Sequence, residues 1–348
     1  MKAYFAPYKI PFKTPILTSR GGMNHKFGYF ITLENEEIIG IGECSVIKGL
    51  SRDHLDTLPD MLHAVCDKIE QWELIKKDII KTHPSIAFAV ETALLDFKNG
   101  GRKILFESPF TNQLQPIPIN GLIWMAEEKT MSHEINEKYE KGFRCFKLKV
   151  GAIDFEAECR LLSKIRNEFD KDKIEIRVDA NGAFAPNIVR ERLSRLSEFD
   201  IHSIEQPIAA NQWKLMAELC NDKIIDIALD EELIAVFEEH KMEELLDAIN
   251  PQYIILKPSL IGGLTMADKW IKQAQKRNIG WWATSALETN IGLNAISQWV
   301  ANKGISATQG LGTGELYQKN ITSPLYIDRG QLFYSALKKW GTLDDVCN

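Results

Sequence analysis

Cys145-Phe146-Lys147-Leu148-Lys149 reads as a short strand. Strand side chains alternate with a period of two, so both ammonium groups share one side and Leu148 takes the other. Working outward, the following strands also end in charge: 175–179 at Asp179, 203–205 at Glu205, 228–230 at Asp230 and 253–257 at Lys257. The gaps between those four endings are 26, 25 and 27 residues, the length of one strand–helix unit. Strands at 117–119, 280–283 and 307–309 bring the number to eight, and helical patterns at 155–169, 188–197, 232–248 and 263–277 lie between them. Regular alternation of this kind predicts an α/β fold, a (β/α)8-type, TIM-like barrel in (β/α)7β form, rather than an open sheet.

Ahead of the barrel the grammar differs. Positions 27–33 and 37–43 read as a hairpin turning at 33–36, followed by a helical stretch over 55–81. Pro84 opens a helix over 85–98 with Ile86, Ala89, Val90, Ala93, Leu94 and Phe97 at helical spacing, and Asn99-Gly100-Gly101 stops it. The expected organisation is an α+β capping domain over 1–112 and a barrel over 113–322. A C-terminal segment, 323–348, carries a hairpin around Arg329-Gly330 and returns to the cap.

Composition narrows the function classes. The 348 residues are 45% hydrophobic, enough for a sizeable core. Lys and Arg number 42 against 48 Asp and Glu, a net charge of −6, which argues against nucleic-acid or anionic-membrane partners. No apolar run approaches the ~18 residues that span a bilayer, and the first residues lack a secretory pattern. A cytoplasmic protein is expected. The six cysteines include no C-x-x-C pair, and the seven histidines form no H-x-x-x-H, so any metal should be held by oxygen.

Barrel active sites lie at the C-terminal ends of the strands, so the charged endings should meet at one mouth. Singly, each has an ordinary reading: Lys-x-Lys as a solvated edge, an acid after a strand as a helix cap. Jointly they read either as an ion-pair network closing the barrel or as a site. Unpaired charges there would each cost on the order of several kcal/mol in desolvation. Three carboxylates on consecutive strands form a concave oxygen cluster suited to magnesium, flanked by lysine-bearing strands. A dication on a substrate carboxylate stabilises the enediolate that forms when the adjacent carbon loses a proton. The base would be an amine that burial beside positive charge leaves partly neutral.

Five motifs carry a resemblance: Phe146-Lys147-Leu148-Lys149-Val150, Arg177-Val178-Asp179-Ala180-Asn181-Gly182, Ile204-Glu205-Gln206-Pro207, Leu229-Asp230-Glu231 and Leu256-Lys257-Pro258-Ser259. Together they resemble the enolase superfamily, in its muconate-lactonizing-like subgroup. Gly40-Ile41-Gly42-Glu43-Cys44 and Ala89-Val90-Glu91-Thr92-Ala93-Leu94-Leu95-Asp96 resemble its capping-domain motifs. The resemblance implies Asp179, Glu205 and Asp230 as ligands of magnesium, with manganese as a substitute. It implies Lys149 as acid–base residue, Lys147 as its electrostatic neighbour and Lys257 as the opposing lysine. A lysine base with magnesium is that superfamily's established pattern, so the assignment follows the pattern and does not extend it. Substrate contacts implied are Arg20 from a cap loop, Arg177, Asn181, Gly262, Gly263, Thr284, Ser285 and Gly312, with a second cap loop at 48–51 closing over a small carboxylate.

Within the subgroup, dipeptide epimerases carry Asp-x-Asp after strand eight, where this chain has Gly310-Leu311-Gly312-Thr313-Gly314-Glu315. Mandelate-type enzymes need a His–Asp pair at strands six and seven, where Lys257 and Thr284-Ser285-Ala286-Leu287-Glu288-Thr289 stand. The remaining resemblance is to the o-succinylbenzoate synthase family, dehydratases of menaquinone biosynthesis. Syn loss of water from 2-succinyl-6-hydroxy-2,4-cyclohexadiene-1-carboxylate is then the implied reaction. N-succinylamino-acid racemisation is the alternative inside the subgroup, because two facing lysines suit two-base chemistry. Outside it stand a Schiff-base aldolase, with Gly310-x-Gly312-x-Gly314 cradling a phosphate, and a non-catalytic binding module.

Overall fold

The computed structural model describes every residue except 19–20, 124–127, 152–153, 305–306 and 348. The N-terminal module is an antiparallel sheet, β1 (Lys2–Thr18), β2 (Gly21–Glu34) and β3 (Ile39–Ser45), in that order. The expected hairpin is its second half, with β2 starting earlier. No strand is expected before residue 27, and β1 carries Pro7, Pro11 and Pro15. It is an edge strand, where a missing N–H is tolerated, and its register shifts between Pro11 and Ile16. Helices α1 (Leu58–Asp67), α2 (Trp72–Thr82) and α3 (Pro84–Lys98) cover one face. α3 packs on β3 so closely that a Cβ on Gly42 would stand 1.9 Å from the Ala89 carbonyl oxygen. Its Ala89 and Ala93 belong to the cap core while Phe88 belongs to the barrel core, so this helix joins the two.

The barrel follows as β4 (Ile117–Pro118), β5 (Gly121–Ile123), α4 (Glu128–Glu140), β6 (Cys145–Lys149), α5 (Phe155–Glu168), β7 (Glu175–Asp179), α6 (Val189–Ser197), β8 (Ser203–Glu205) and α7 (Trp213–Asp222). It continues as β9 (Ile227–Leu229), α8 (Glu239–Ile249), β10 (Tyr253–Leu256), α9 (Pro258–Ile261), α10 (Leu264–Gln275), β11 (Gly280–Ala283) and α11 (Asn290–Asn302). Strands β5 to β11 form one seven-stranded parallel sheet in chain order. Phe146, Leu148, Val178 and Ile204 are buried in the main core with the helix residues Leu162, Ile165, Leu193 and Leu196.

Two expectations at the barrel seam need correction. The expected first strand is split: Ile117–Pro118 pairs with the C-terminal strand described next, Pro118 and Asn120 also bond Gln309, and β5 carries the pairing with β6. The expected eighth strand over 307–309 is reduced to two parallel bridges, Ile119↔Gln309 and Thr284↔Gly310, which join the sheet's edges. The glycines at 310, 312 and 314 offer few side chains for a longer strand to pack. The terminal hairpin is β12 (Leu325–Asp328) with β13 (Gln331–Tyr334), and β13 pairs with β4 of the barrel. The chain meets the cap on both sides of this hairpin: Tyr317 bridges Phe12 before it, and beyond it Trp340, Leu343, Val346 and Cys347 pack with Tyr8, Ile10, Phe12 and Phe30. Among the described residues, no helix is long and apolar enough to cross a membrane.

Candidate active site

Parallel register builds the site. Lys149 lies opposite Asp179 on β6 and β7, and Asp179 opposite Glu205 on β8. Asp230 follows β9 and Lys257 follows β10. The Lys149 ammonium donates to Asp179 Oδ2 and to Asn181 Oδ1, both at 2.6 Å. Lys147 spans two acids, Asp179 at 2.9 Å and Glu205. Lys257 likewise spans Asp230 and Glu205, the latter at 3.6 Å. All three carboxylates and both bridging lysines are buried.

The charges tune one another. Burial opposes ionisation of Asp179, but Lys147 and Lys149 outweigh it and hold its carboxyl well below the usual range. Asp230 is lowered in the same way, with Lys257 overcoming burial. Glu205 goes the opposite way: burial, and then the negative charge of Asp179, push it up. Burial alone would lower Lys147 and Lys257, yet the facing carboxylates, Asp179 and Glu205 for the first and Asp230 and Glu205 for the second, raise both.

The donor set suits a hard divalent cation: its three members are all carboxylates. Among the described residues, Glu205 Oε1 is buried with no hydrogen-bond partner, only the longer 3.6 Å ion pair to Lys257. Among the described residues, however, no three Asp, Glu, His or Cys side chains stand at metal-binding spacing. Lys147 and Lys257 occupy the spaces between the acids. A dication would therefore compete with two ammonium groups for the same oxygens.

The other expected contacts divide. Asn181 is in the cluster, its amide nitrogen donating to Glu231 Oε1 at 3.0 Å. Arg177 points into the barrel interior, donating to Glu175 Oε1 at 2.7 Å and to the Thr308 carbonyl at 3.1 Å, its guanidinium 4.2 Å from the Trp282 ring centroid. Its cation is thus committed below the mouth. Ser285 donates to Glu288 Oε2 at 2.5 Å and accepts from Thr313 at 2.6 Å. Thr284 Oγ1 is buried without a hydrogen-bond partner, against Gly310. Gly312 follows that seam and is part-exposed. Gly262 and Gly263 face the cap helices, near Ile80 and Glu91 respectively. Arg20 lies outside the described residues.

Gln206 was missed as a site residue. Its Oε1 accepts from the Asp230 N–H at 3.2 Å, and its Nε2 donates to Glu232 Oε2 at 3.2 Å, so it sets the backbone that carries Asp230. Its place directly after Glu205 was the available signal. Lys26 was also missed. It is a buried cap lysine that donates to the Val46 carbonyl at 2.6 Å, and nothing in its surrounding sequence marks it.

Residues 130–334 match the Enolase C-terminal domain-like family, and residues 1–97 match the MenC N-terminal domain. The chain is 45% identical to the o-succinylbenzoate synthase of Desulfotalea psychrophila, over 92% of this chain and 95% of that one. Its fold is similar to the crystal structure of MenC from Desulfotalea psychrophila LSv54, with a TM-score of 0.86 at 41% identity, covering 96% of this chain and 99% of that one. It is also similar to the muconate lactonizing enzyme of Pseudomonas fluorescens, with a TM-score of 0.84 at 19% identity, covering 97% and 96% of the two chains.

Proposed function

The chain belongs to the enolase superfamily, and from its barrel mouth we propose the o-succinylbenzoate synthase reaction of menaquinone biosynthesis: syn dehydration of 2-succinyl-6-hydroxy-2,4-cyclohexadiene-1-carboxylate to 2-succinylbenzoate. The observation that carries the reading is the row Lys149–Asp179–Lys147–Glu205–Lys257–Asp230, in which three amines alternate with three buried carboxylates.

Asp179, Glu205 and Asp230 would hold magnesium. When bound, it supplies positive charge against the substrate carboxylate as negative charge develops there. Lys149, in its neutral form, takes the proton from the carbon bearing that carboxylate. The C–H electron pair enters the ring, and the resulting ammonium gives a proton to the departing hydroxyl, which leaves as water. One amine doing both tasks requires proton and hydroxyl to leave from one face. Asn181 Oδ1 orients the amine through its 2.6 Å contact. In the metal-free site Asp230 and Glu205 raise Lys257 against the effect of its burial, and as a cation it would stabilise charge from the other side. Cytoplasmic residence and a small carboxylate substrate complete the proposal.

Incubating the purified protein with that substrate, with and without a chelator, tests it. Product that forms only with magnesium supports the dehydration. Deuterium wash-in to N-succinyl amino acids from D₂O, with no 2-succinylbenzoate formed, replaces it by racemisation.

A further inference from the structure

Two cap carboxylates play no part in the chemistry above, yet both reach across to the barrel. Glu43, on β3, is fully buried. It accepts from the Thr289 N–H at 2.8 Å, the Thr289 hydroxyl at 2.6 Å, the Gly292 N–H at 2.9 Å and the Tyr8 hydroxyl at 2.6 Å. Thr289 and Gly292 open α11, directly after the loop that carries Thr284, Ser285 and Glu288. Glu91, on α3, accepts from the Leu264 N–H at 2.6 Å, the Thr265 N–H at 2.9 Å and the Thr265 hydroxyl. Those residues open α10, seven residues after Lys257.

Each carboxylate thus fills the unpaired N–H groups and meets the positive end of a barrel helix. The fit leaves no room for another group. Gly263 has φ +110, and a Cβ there would lie 2.2 Å from Glu91 Oε2. By contrast, Lys149, Asp179 and Glu205 sit on strands β6 to β8, whose register is set inside the barrel.

We propose that Glu43 and Glu91 are positioning residues: they dock the cap on the helices after the sixth and seventh barrel strands, and so hold that wall of the mouth in its substrate-binding position. The proposal rests on the dehydratase reading for its kinetic readout, but its structural readout is independent.

Glu43→Ala and Glu91→Ala are expected to raise KM about tenfold with kcat held within about threefold, the pattern of lost substrate binding. Magnesium affinity should be unchanged. Glu43→Gln and Glu91→Gln, which keep one acceptor oxygen, should recover part of the loss. Thr265→Val, at an exposed position that removes one donor, serves if Glu91→Ala fails to fold, and should raise KM less. Hydrogen exchange supplies the second readout: in Glu43→Ala the amides of Ser285 and Ala286 should exchange faster along with Thr289 and Gly292, while those of Val150 and Ala180 should not. Unchanged KM in a folded variant, or faster exchange confined to Thr289 and Gly292, overturns the proposal. An inactive wild-type protein would sink the dehydratase reading, leaving the exchange pattern to decide the positioning role.

Discussion

Lys149 and Asp179 stand directly opposite each other in the parallel register of β6 and β7, ammonium to carboxylate at 2.6 Å. Asp179 also meets Lys147 at 2.9 Å, so one acid is shared by two amines that the strand period places on a single face. Alternating lysines and acids continue to Asp230, and the predictions below come from removing members of that row or the supports beneath it.

Lys257→Met leaves Asp230 and Glu205 buried without their shared cation. Removing one partner of a buried pair costs about 3–5 kcal/mol. Denaturant unfolding without metal should show a loss of that order, and magnesium should restore part of it by replacing the missing charge. Equal destabilisation with and without magnesium would contradict the competition between lysine and dication.

Magnesium itself should raise the melting temperature of the wild-type protein, since a ligand at 100 times its Kd stabilises by about 2.7 kcal/mol. In Asp230→Asn the rise should shrink or vanish. A chelator should remove it in the wild type, as measured by scanning calorimetry.

Asp53, two residues beyond the second cap loop, carries a pH signature. Burial raises Asp53 to about 6, against the opposing pull of the Ser85 hydroxyl and N–H. The folded state therefore holds this proton more tightly than the unfolded chain. Stability present below the unfolded carboxyl value is lost as pH rises through about 6, by about 3 kcal/mol at roughly 1.4 kcal/mol per unit. Asp53→Asn should flatten that decline in urea titrations between acid and neutral pH, and a variant curve parallel to the wild type would contradict it.

Gly42→Ala tests the join between cap sheet and α3. Its Cβ would fall 1.9 Å from the Ala89 carbonyl oxygen, and backbone must move. The expected cost is about 3 kcal/mol, at the upper end of overpacking effects, read as a lower unfolding midpoint.

The site was legible because strand alternation and the even spacing of charged strand ends are local signals, and tertiary packing had only to bring them together. Lys147, Lys149, Asp179, Glu205, Asp230 and Lys257 accordingly meet in one cluster. The seam was not legible. Ile117–Pro118 reads as a barrel strand by hydrophobicity, but its partner is β13, more than 200 residues away, and no local pattern encodes that choice. β1 has the same non-local origin: its place at a sheet edge makes its prolines tolerable. Arg177 shares the inward face of β7 with Asp179, yet Trp282 and Glu175 draw its guanidinium down into the barrel, which sequence spacing alone does not reveal.

The account turns on Lys149 as the group that moves the proton. The direct test is the rate of 2-succinylbenzoate formation by Lys149→Ala at saturating magnesium, in a variant shown by circular dichroism to be folded. Loss of a general acid–base group predicts a fall of about 10²–10⁴ in kcat. A rate within a few fold of the wild type would contradict it.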